Sequence, residues 1–563
     1  MIVMKFGGTS VSSKQNIEQL KSVLLKKKEN YIVVVSAFST ITNKLEEIAR
    51  LALADNSAAL QEEFKSIHFK LIEALFPLAN QTELFMLVQQ KCNEIENICA
   101  SIYTLNELSF KTQAHIVSYG EQMSSFILYK YLNQEGIEIE CLDSRELIIA
   151  NNSYLNADVD FELTEKNISQ KIEAKNYIAG GFIASNPKQE TVTLGRGGSD
   201  YSAAIFASAI EADFLEIWSD VNGIHSANPN IVKNTISIKE LSYEEAFELA
   251  YFGAKVLYPP TILPIMNKNI PLHLKNMLYP EQEGTYIGNS DKEREHKIQG
   301  VSSLSNVIIL TVSGVGLARK QGSARRVFQA LEEQNINIIL ITQSCSEQSI
   351  GIGIKKDHLE DAKDAIHQMF SHEISNGLIN KVSVTEEQSI IALVGDNMKN
   401  KVGLSGKIFG AIGENGINIT AIAQGASERN ISIVVHQDDE EKAIHVIHEK
   451  FFNNVVKNVH LFIAGVGNVG DEFLNILEAQ KEKLIKEHQI NLKIIGVANS
   501  SKMLFGKDEL DNAQIRSLKE DGVAYDSFGD FLSRISDLNL RNSIFIDNTA
   551  SDIVSKGYSH LLE

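Results

Sequence analysis

Lys5 closes a short apolar run and is followed at once by Phe6-Gly7-Gly8-Thr9-Ser10. Glycines in that place let backbone N–H groups approach a phosphate, and the ammonium adds positive charge there. The order matters. A Walker A loop carries its lysine after the glycines, so a P-loop fold is not supported. Four further places hold residue types suited to charged ligands: Glu121 in Ser118-Tyr-Gly-Glu-Gln122, Gly195-Arg-Gly-Gly-Ser-Asp200, Ser219-Asp220, and Phe252-Gly-Ala-Lys255. Each alone has a plain structural reading, with Arg196 a surface cation, Asp220 a turn residue and Lys255 a solvated helix end. A different chemistry is written near the C-terminus, where Gly465-Val-Gly-Asn-Val-Gly470 follows an apolar run and opens a helical segment. That is the context in which GxGxxG points to a dinucleotide.

These residues must be held by elements. Apolar runs at 2–6, 32–35, 177–183 and 214–218 alternate with helical stretches such as 12–27. Buried strands separated by helices predict the α/β class, a mostly parallel sheet sandwiched by helices. Between 52 and about 115, Phe64, Ile67, Leu71 and Leu75 recur at helical spacing, predicting a helical insert. Gly284, Gly288 and the charged run 291–297 predict a linker over 285–305. Beyond it the sequence repeats itself. Asn337-Ile-Ile-Leu-Ile-Thr-Gln-Ser-Cys-Ser-Glu347 and Asn418-Ile-Thr-Ala-Ile-Ala-Gln-Gly-Ala-Ser-Glu428 match at an offset of 81, which also pairs Phe328 with Phe409 and Ile350 with Ile431. Two copies of one unit, each reading strand, loop, helix, strand, predict a pseudo-symmetric pair of small modules mixing helix and strand (α+β), tandem or interleaved.

Composition narrows the partners. With 563 residues and 44% hydrophobic content the chain has room for three to four domains. A formal charge of −19 disfavours nucleic acid and anionic lipid, leaving small molecules. The four cysteines show no CxxC spacing, and Cys92 and Cys99 suit one buried helix face, as in a reducing compartment. The opening residues do not read as a signal peptide, and no apolar run approaches the ~18 residues a membrane span needs. The expectation is a cytoplasmic protein.

Taken together, the five motifs of residues 1 to about 290 resemble aspartate kinase, of the amino acid kinase family. The resemblance implies transfer of the ATP γ-phosphoryl group, with Mg²⁺, to the β-carboxylate of L-aspartate, giving 4-phospho-L-aspartate. Such a carboxylate has a pKa near ~3.9 and attacks without a general base. The obstacle is repulsion between an anionic nucleophile and a triphosphate, which cations and in-line positioning overcome. By this resemblance Lys5 neutralises the transferring group and Asp200 orients it. Ser36, Thr42, Glu121, Arg196 and Ser199 hold the amino acid, while Lys5, Gly7, Gly8, Thr9, Ser219, Asp220 and Lys255 serve the nucleotide. The helical insert is a candidate for closing over the product. One departure is visible. Asn228 and Asn230 stand where the family carries Asp and Arg, so a phosphate-directed guanidinium is missing and weaker ATP binding is expected. A feeble threonine-binding sensor and another amino acid kinase, acting on glutamate or a nucleoside monophosphate, are the alternative functions.

The repeats resemble ACT domains, and the whole arrangement is similar to the bifunctional aspartate kinase/homoserine dehydrogenase type. That likeness implies L-threonine as effector at Asn337, Ile341, Gln343, Asn418, Ile422 and Gln424, and a homo-oligomer formed through the ACT modules. It implies an incomplete Rossmann-like domain at the C-terminus, with Gly465, Gly467, Gly470, Asn499 and Lys502 toward a dinucleotide. Asn499, where an acid would select NAD, leaves room for a 2′-phosphate that Lys502 could face, so NADP is preferred. The expected domains are 1–290 kinase, 300–380 and 385–457 the two ACT modules, and 458–563 the start of the dehydrogenase. No metal site of the protein's own is expected. Homoserine oxidation is expected only of a longer chain.

Overall fold

Side chains along the strand Ile2–Phe6 go alternately to two separate cores: Ile2, Met4 and Phe6 to one, Val3 to the other. Its neighbour Tyr31–Val35 does the same, with Tyr31, Val33 and Val35 on one side and Ile32 and Val34 on the other. Strands apolar on both faces need cover on both faces, and helices supply it. This is a computed structural model, describing all residues except 254–256, 290–297, 320–321, 345, 399–400, 426, 453–456, 489, 507–508, 539, 541 and 560–563. It divides into two compact units, 1–448 and 449–563.

The first unit opens with an eight-stranded sheet in the order Glu140–Leu142, Tyr177–Gly180, Tyr31–Val35, Ile2–Phe6, Leu215–Ser219, Leu272–Asn276, Thr285–Ile287, Glu240–Leu241. All neighbours run parallel except Thr285–Ile287, antiparallel to Leu272–Asn276. A parallel sheet gathers its strand C-termini along one edge, where ligands bind in open α/β folds. Phe6, Val35, Gly180 and Ser219 all end there. The insert is two helices, Ala58–Leu75 and Leu78–Leu105, with Pro77 at the break. Phe64, Leu71 and Leu75 are buried in the core shared with Ile2–Phe6, and Cys99 is a buried free thiol.

The linker expected over 285–305 is not a linker at its ends. Thr285–Ile287 belongs to the kinase sheet, because the buried Thr285 hydroxyl donates to the Ile238 carbonyl and accepts from the Ile224 N–H. Gly300–Ser313 is a long strand of the next sheet. The charged run 291–297 lies outside the described residues.

That next sheet settles how the repeats combine. Its six strands run Leu340–Gln343, Ser349–Lys355, Gly300–Ser313, Ser383–Val394, Asn430–His436, Ala421–Gln424, all antiparallel. The two central strands pair along most of their length, Gly300 with Val394 at one end and Thr311 with Ser383 at the other. Each therefore serves its own repeat with one half and completes the other repeat with the second. The copies are interleaved. Helices Ser323–Glu332 and Leu359–Met369 cover one repeat, burying Ile308, Leu310 and Val312 beneath them.

In the second unit the strands Ser543–Asp547, Lys457–Ala464 and Ile490–Ala498 are parallel, and Lys502–Phe505 and Val523–Ala524 continue the sheet antiparallel.

Candidate active site

At the C-terminal end of Ile2–Phe6 the chain turns so tightly that a Cβ on Gly8 would lie 2.8 Å from the Ala37 carbonyl oxygen. The Gly7 N–H points at the Trp218 carbonyl, 3.4 Å away, tying this turn to the strand that ends at Ser219. Lys5 places its ammonium 2.6 Å from Oδ1 of Asp200, in the first turn of helix Gly198–Ala209. The contact is ionic and off the line of a hydrogen bond, since Oδ1 accepts none. Both side chains are mostly shielded, which strengthens their attraction.

Around this pair lies a cleft of about 530 Å³. Seven of the residues expected to act on the amino acid or the transferring group line it: Lys5, Ser36, Thr42, Glu121, Arg196, Ser199 and Asp200. They come from four elements and two loops separated by up to 195 positions in sequence, and two adjacent glycines make the convergence feasible. At the end of Tyr177–Gly180, a Cβ on Gly180 would meet the Glu121 carbonyl oxygen at 2.9 Å, and one on Gly181 would meet Ser199 Cβ at 2.7 Å. Helices Phe110–Gln134 and Gly198–Ala209 thus close in on the strand end because nothing projects from it.

Glu121 is the electrostatic anomaly of the cleft. Its Oε1 accepts from the Ala37 N–H at 3.1 Å, while Oε2 is buried with no hydrogen-bond partner among the described residues. Desolvation pushes its pKa up from 4.5 to about 8, against the smaller opposing effect of the Ala37 hydrogen bond. A buried carboxyl oxygen that lines the cleft with no partner among the described residues is suited to an ammonium. Arg196, in contrast, is exposed and makes no ion pair among the described residues.

The cleft also recruits residues that the sequence reading passed over, including Asn43, Glu46, Gln113, Asn156 and Phe182. Helical spacing could have found three of them. Glu46 is four residues after Thr42, and Gln113 and Val117 precede Glu121 by eight and four, so each shares a helix face with an expected residue. Phe182 carried no such signal; it sits at φ 65, a conformation unusual for a bulky side chain, held as its N–H and carbonyl bond to Ser202 and Leu194. No residue of 58–105 lines the cleft.

On the nucleotide side, Ser219 ends its strand beside Gly7, and Asp220 is exposed just beyond it. Neither lines the cleft, nor do Gly7, Gly8 and Thr9, and Lys255 lies outside the described residues. Asn228 accepts from the Asn230 N–H at 3.0 Å through its side-chain oxygen, while its carbonyl accepts from Ile231 and Val232. An amide forms this turn as a carboxylate would. The change at Asn228 therefore preserves the loop; Asn230 is exposed and brings no charge.

The model of the amino acid kinase family matches residues 1–276, and the ACT domain model matches 310–370 and 391–451. The bifunctional aspartokinase/homoserine dehydrogenase of Haemophilus influenzae is 33% identical over 571 residues, covering 100% of this chain and 70% of its own length. The chain belongs to the bifunctional aspartokinase/homoserine dehydrogenase family. A chloroplastic member from Arabidopsis thaliana is 32% identical over 577 residues, 63% of its length. Among solved structures, E. coli aspartokinase III in complex with aspartate and ADP (R-state) is 28% identical with a TM-score of 0.71, covering 80% of this chain and 100% of that one. The same protein in complex with lysine and aspartate (T-state) gives 0.64 at equal coverage.

The family's second and third parts show two further groups of residues. Ile341 and Gln343, and their counterparts Ile422 and Gln424, are exposed on the two edge strands of the interleaved sheet. Asn337 and Asn418 are exposed in the turns before those strands, and the Asn337 amide donates to the Tyr251 hydroxyl at 3.4 Å. At the C-terminal turn, Gly465 has φ 91, and a Cβ on Gly470 would lie 2.2 Å from the Gly465 carbonyl oxygen, while Gly467 faces open space. A tight turn, an open backbone and a close helix contact are the three things such glycines provide. Lys502 departs from expectation. Its ammonium donates to the carbonyls of Lys519 and Glu520 at the end of helix Leu518–Asp521, at 2.7 and 3.2 Å. Helix-end carbonyls attract a cation, so this ammonium is already engaged. The Asn499 side-chain oxygen is likewise occupied by the N–H groups of Ser501 and Lys502.

Proposed function

We propose that this chain is an ATP-dependent aspartate kinase, transferring the γ-phosphoryl group to the β-carboxylate of L-aspartate under feedback by threonine. The observation that carries the reading is the cleft itself, where the Lys5–Asp200 pair, a guanidinium without an ion pair among the described residues and a buried carboxyl oxygen converge. Aspartate presents one ammonium and two carboxylates. Glu121 would take the ammonium, Arg196 the α-carboxylate in bidentate fashion, and Ser36, Thr42 and Ser199 the remaining polar edges. The β-carboxylate would then lie toward Lys5, whose charge offsets repulsion from the triphosphate. Asp200 keeps that ammonium in place. ATP with Mg²⁺ would approach along the edge where Gly7, Gly8, Thr9, Ser219 and Asp220 lie, with Lys255 joining them by the family resemblance alone, and the solved E. coli complex with aspartate and ADP supports this pairing of ligands.

We assign residues 1–290 to the kinase, 300–380 and 385–457 to the ACT modules, and 458–563 to a dinucleotide-binding segment whose glycine turn favours a pyrophosphate. Threonine is the proposed effector on the likeness of Ile341-Thr-Gln343 and Ile422-Ala-Gln424; E. coli aspartokinase III is solved with lysine, so both deserve assay. Coupled ADP release with aspartate, glutamate or no acceptor, each with and without threonine, tests the proposal. Release that depends on aspartate and falls with threonine is expected. Release that is equal with glutamate would overturn the substrate. Asn230 favours a second reading, a sensor of low turnover, which threonine binding without ADP release would select.

A further inference from the structure

Helix Tyr243–Tyr251 begins with a full capping box, in which the Ser242 hydroxyl and Glu245 carboxylate bond to each other's backbone N–H groups. Although it belongs to the kinase part of the chain, it is fastened to the interleaved sheet along its length. Glu245 accepts from the Asp396 N–H at 2.7 Å, Glu248 from the Asn430 amide at 2.8 Å, and the Leu249 carbonyl from the Ser302 hydroxyl at 3.2 Å. Its last turn delivers Phe252 into an apolar cluster built by the sheet: Val307, Ile309, Leu340, Ile390, Ala392 and Val434, with Ala421 and Ala423 against it. Phe252 is 7% exposed there. The next residue, Gly253, has φ 112, and a Cβ on it would lie 2.2 Å from the Ser303 carbonyl oxygen. Kinase backbone is thus pressed directly on sheet backbone.

Two features turn this packing into a link. Leu340, Ala421 and Ala423 belong to the strands Leu340–Gln343 and Ala421–Gln424, whose alternate residues Ile341, Gln343, Ile422 and Gln424 are exposed on the other face. In a strand, successive side chains point oppositely, so each edge strand joins the Phe252 cluster with one face and leaves the other exposed. At the far end of the same short stretch, the Tyr258 ring covers Gly197: a Cβ there would lie 2.4 Å from Tyr258 Cγ. Gly197 stands between Arg196 and Ser199 of the cleft.

We propose that Phe252 and Tyr258 are positioning residues that connect the edge strands of the regulatory sheet to the glycine loop of the cleft, so that ligand on those strands alters the hold of the loop on aspartate. The inference rests on the kinase reading and extends it to regulation. A ligand acts only through differential affinity for two arrangements, and the Phe252 cluster is where those arrangements would differ.

The test uses the full chain, with Phe252→Leu and Tyr258→Leu, and threonine and lysine as probes. Wild-type ADP release, with its dependence on aspartate, checks the kinase reading separately in the same assay. In Phe252→Leu the active probe should bind within about threefold of wild type by calorimetry, yet raise the aspartate KM at least about tenfold less, as coupling energies of this kind permit. Tyr258→Leu should weaken aspartate binding by KM more than by kcat even without probe. A readout independent of turnover exists in Trp218, the single tryptophan, whose carbonyl receives the Gly7 N–H at the cleft edge. Probe should change its emission in wild type and not in Phe252→Leu. Equal emission changes, or an equal KM response, in wild type and Phe252→Leu would overturn the proposal.

Discussion

Lys5 and Asp200 show how much a single pair can be asked to do. With the two charges 2.6 Å apart and shielded from water, removing either leaves the other misdirected as well as unpaired. Lys5→Ala and Asp200→Ala are each expected to lower kcat for aspartate-dependent ADP release by about 10²–10³-fold, the range for losing a preorganised stabiliser of developing charge. Circular dichroism should stay native, and near-normal turnover in either variant would remove that residue from the mechanism. Glu121 makes a second prediction, through pH. Its folded pKa of about 8 lies above the unfolded value near 4.5, so the folded state holds the proton more tightly. The stability this confers is fully present below pH ~4.5 and is lost as the pH rises toward ~8. Without ligand, Glu121→Gln should therefore melt above the wild type at pH 8 and level with it at pH 4, while binding aspartate far more weakly. A Tm difference independent of pH would argue that the carboxyl is not desolvated.

At the scale of elements, the interleaved sheet depends on a junction that neither repeat owns. Glu440, first residue of helix Glu440–Phe452, is buried and accepts from the hydroxyls of Ser303, Ser305 and Ser389 at 2.6, 3.0 and 2.6 Å. These serines lie on the two central strands near the irregularity in their register between Leu304 and Val307. Glu440→Ala would strand three hydroxyls at once and is expected to cost roughly 2–4 kcal/mol in denaturant unfolding. The cost should shrink in a variant that also carries Ser303→Ala and Ser389→Ala, since deleting both partners removes the unsatisfied groups. No sequence pattern announces this contact, because the serines are 137, 135 and 51 positions away from their acceptor.

For the molecule as a whole, the division at residues 448 and 449 predicts unfolding that is not a single two-state event. Two calorimetric transitions are expected, and ATP or aspartate should raise only the one that belongs to the first unit, by mass action. Ligands that moved both transitions together would show the units to be thermodynamically one. The exposed edge strands carry Ile341 and Ile422, 48% and 44% exposed, and unpaired edges of this kind favour pairing with another chain. Light scattering should find an oligomer, and Ile341→Lys should weaken it. A chain that is monomeric at micromolar concentration would place these edges outside any subunit contact.

The sequence alone determined the class of the kinase sheet, mostly parallel and covered on both faces, since apolar runs and helical periodicity report which faces must be covered. It also brought Lys5, Glu121, Arg196 and Asp200 together as candidates, through the resemblance of their motifs to aspartate kinase, and the fold places all four on one cleft. It could not say that Thr285–Ile287 joins the kinase sheet, as three residues carry little periodicity and Thr285 is held by contacts to Ile224 and Ile238. Nor could it orient Lys502, whose ammonium is claimed by carbonyls seventeen and eighteen residues away. Interleaving of the repeats was equally hidden: an offset of 81 reports likeness between copies, whereas pairing is decided by backbone hydrogen bonds that leave no mark on residue type. Tertiary structure alone brought Phe252 to the regulatory cluster and Tyr258 to Gly197, because burial against a distant strand depends on the position of the whole sheet, which no local window of sequence encodes.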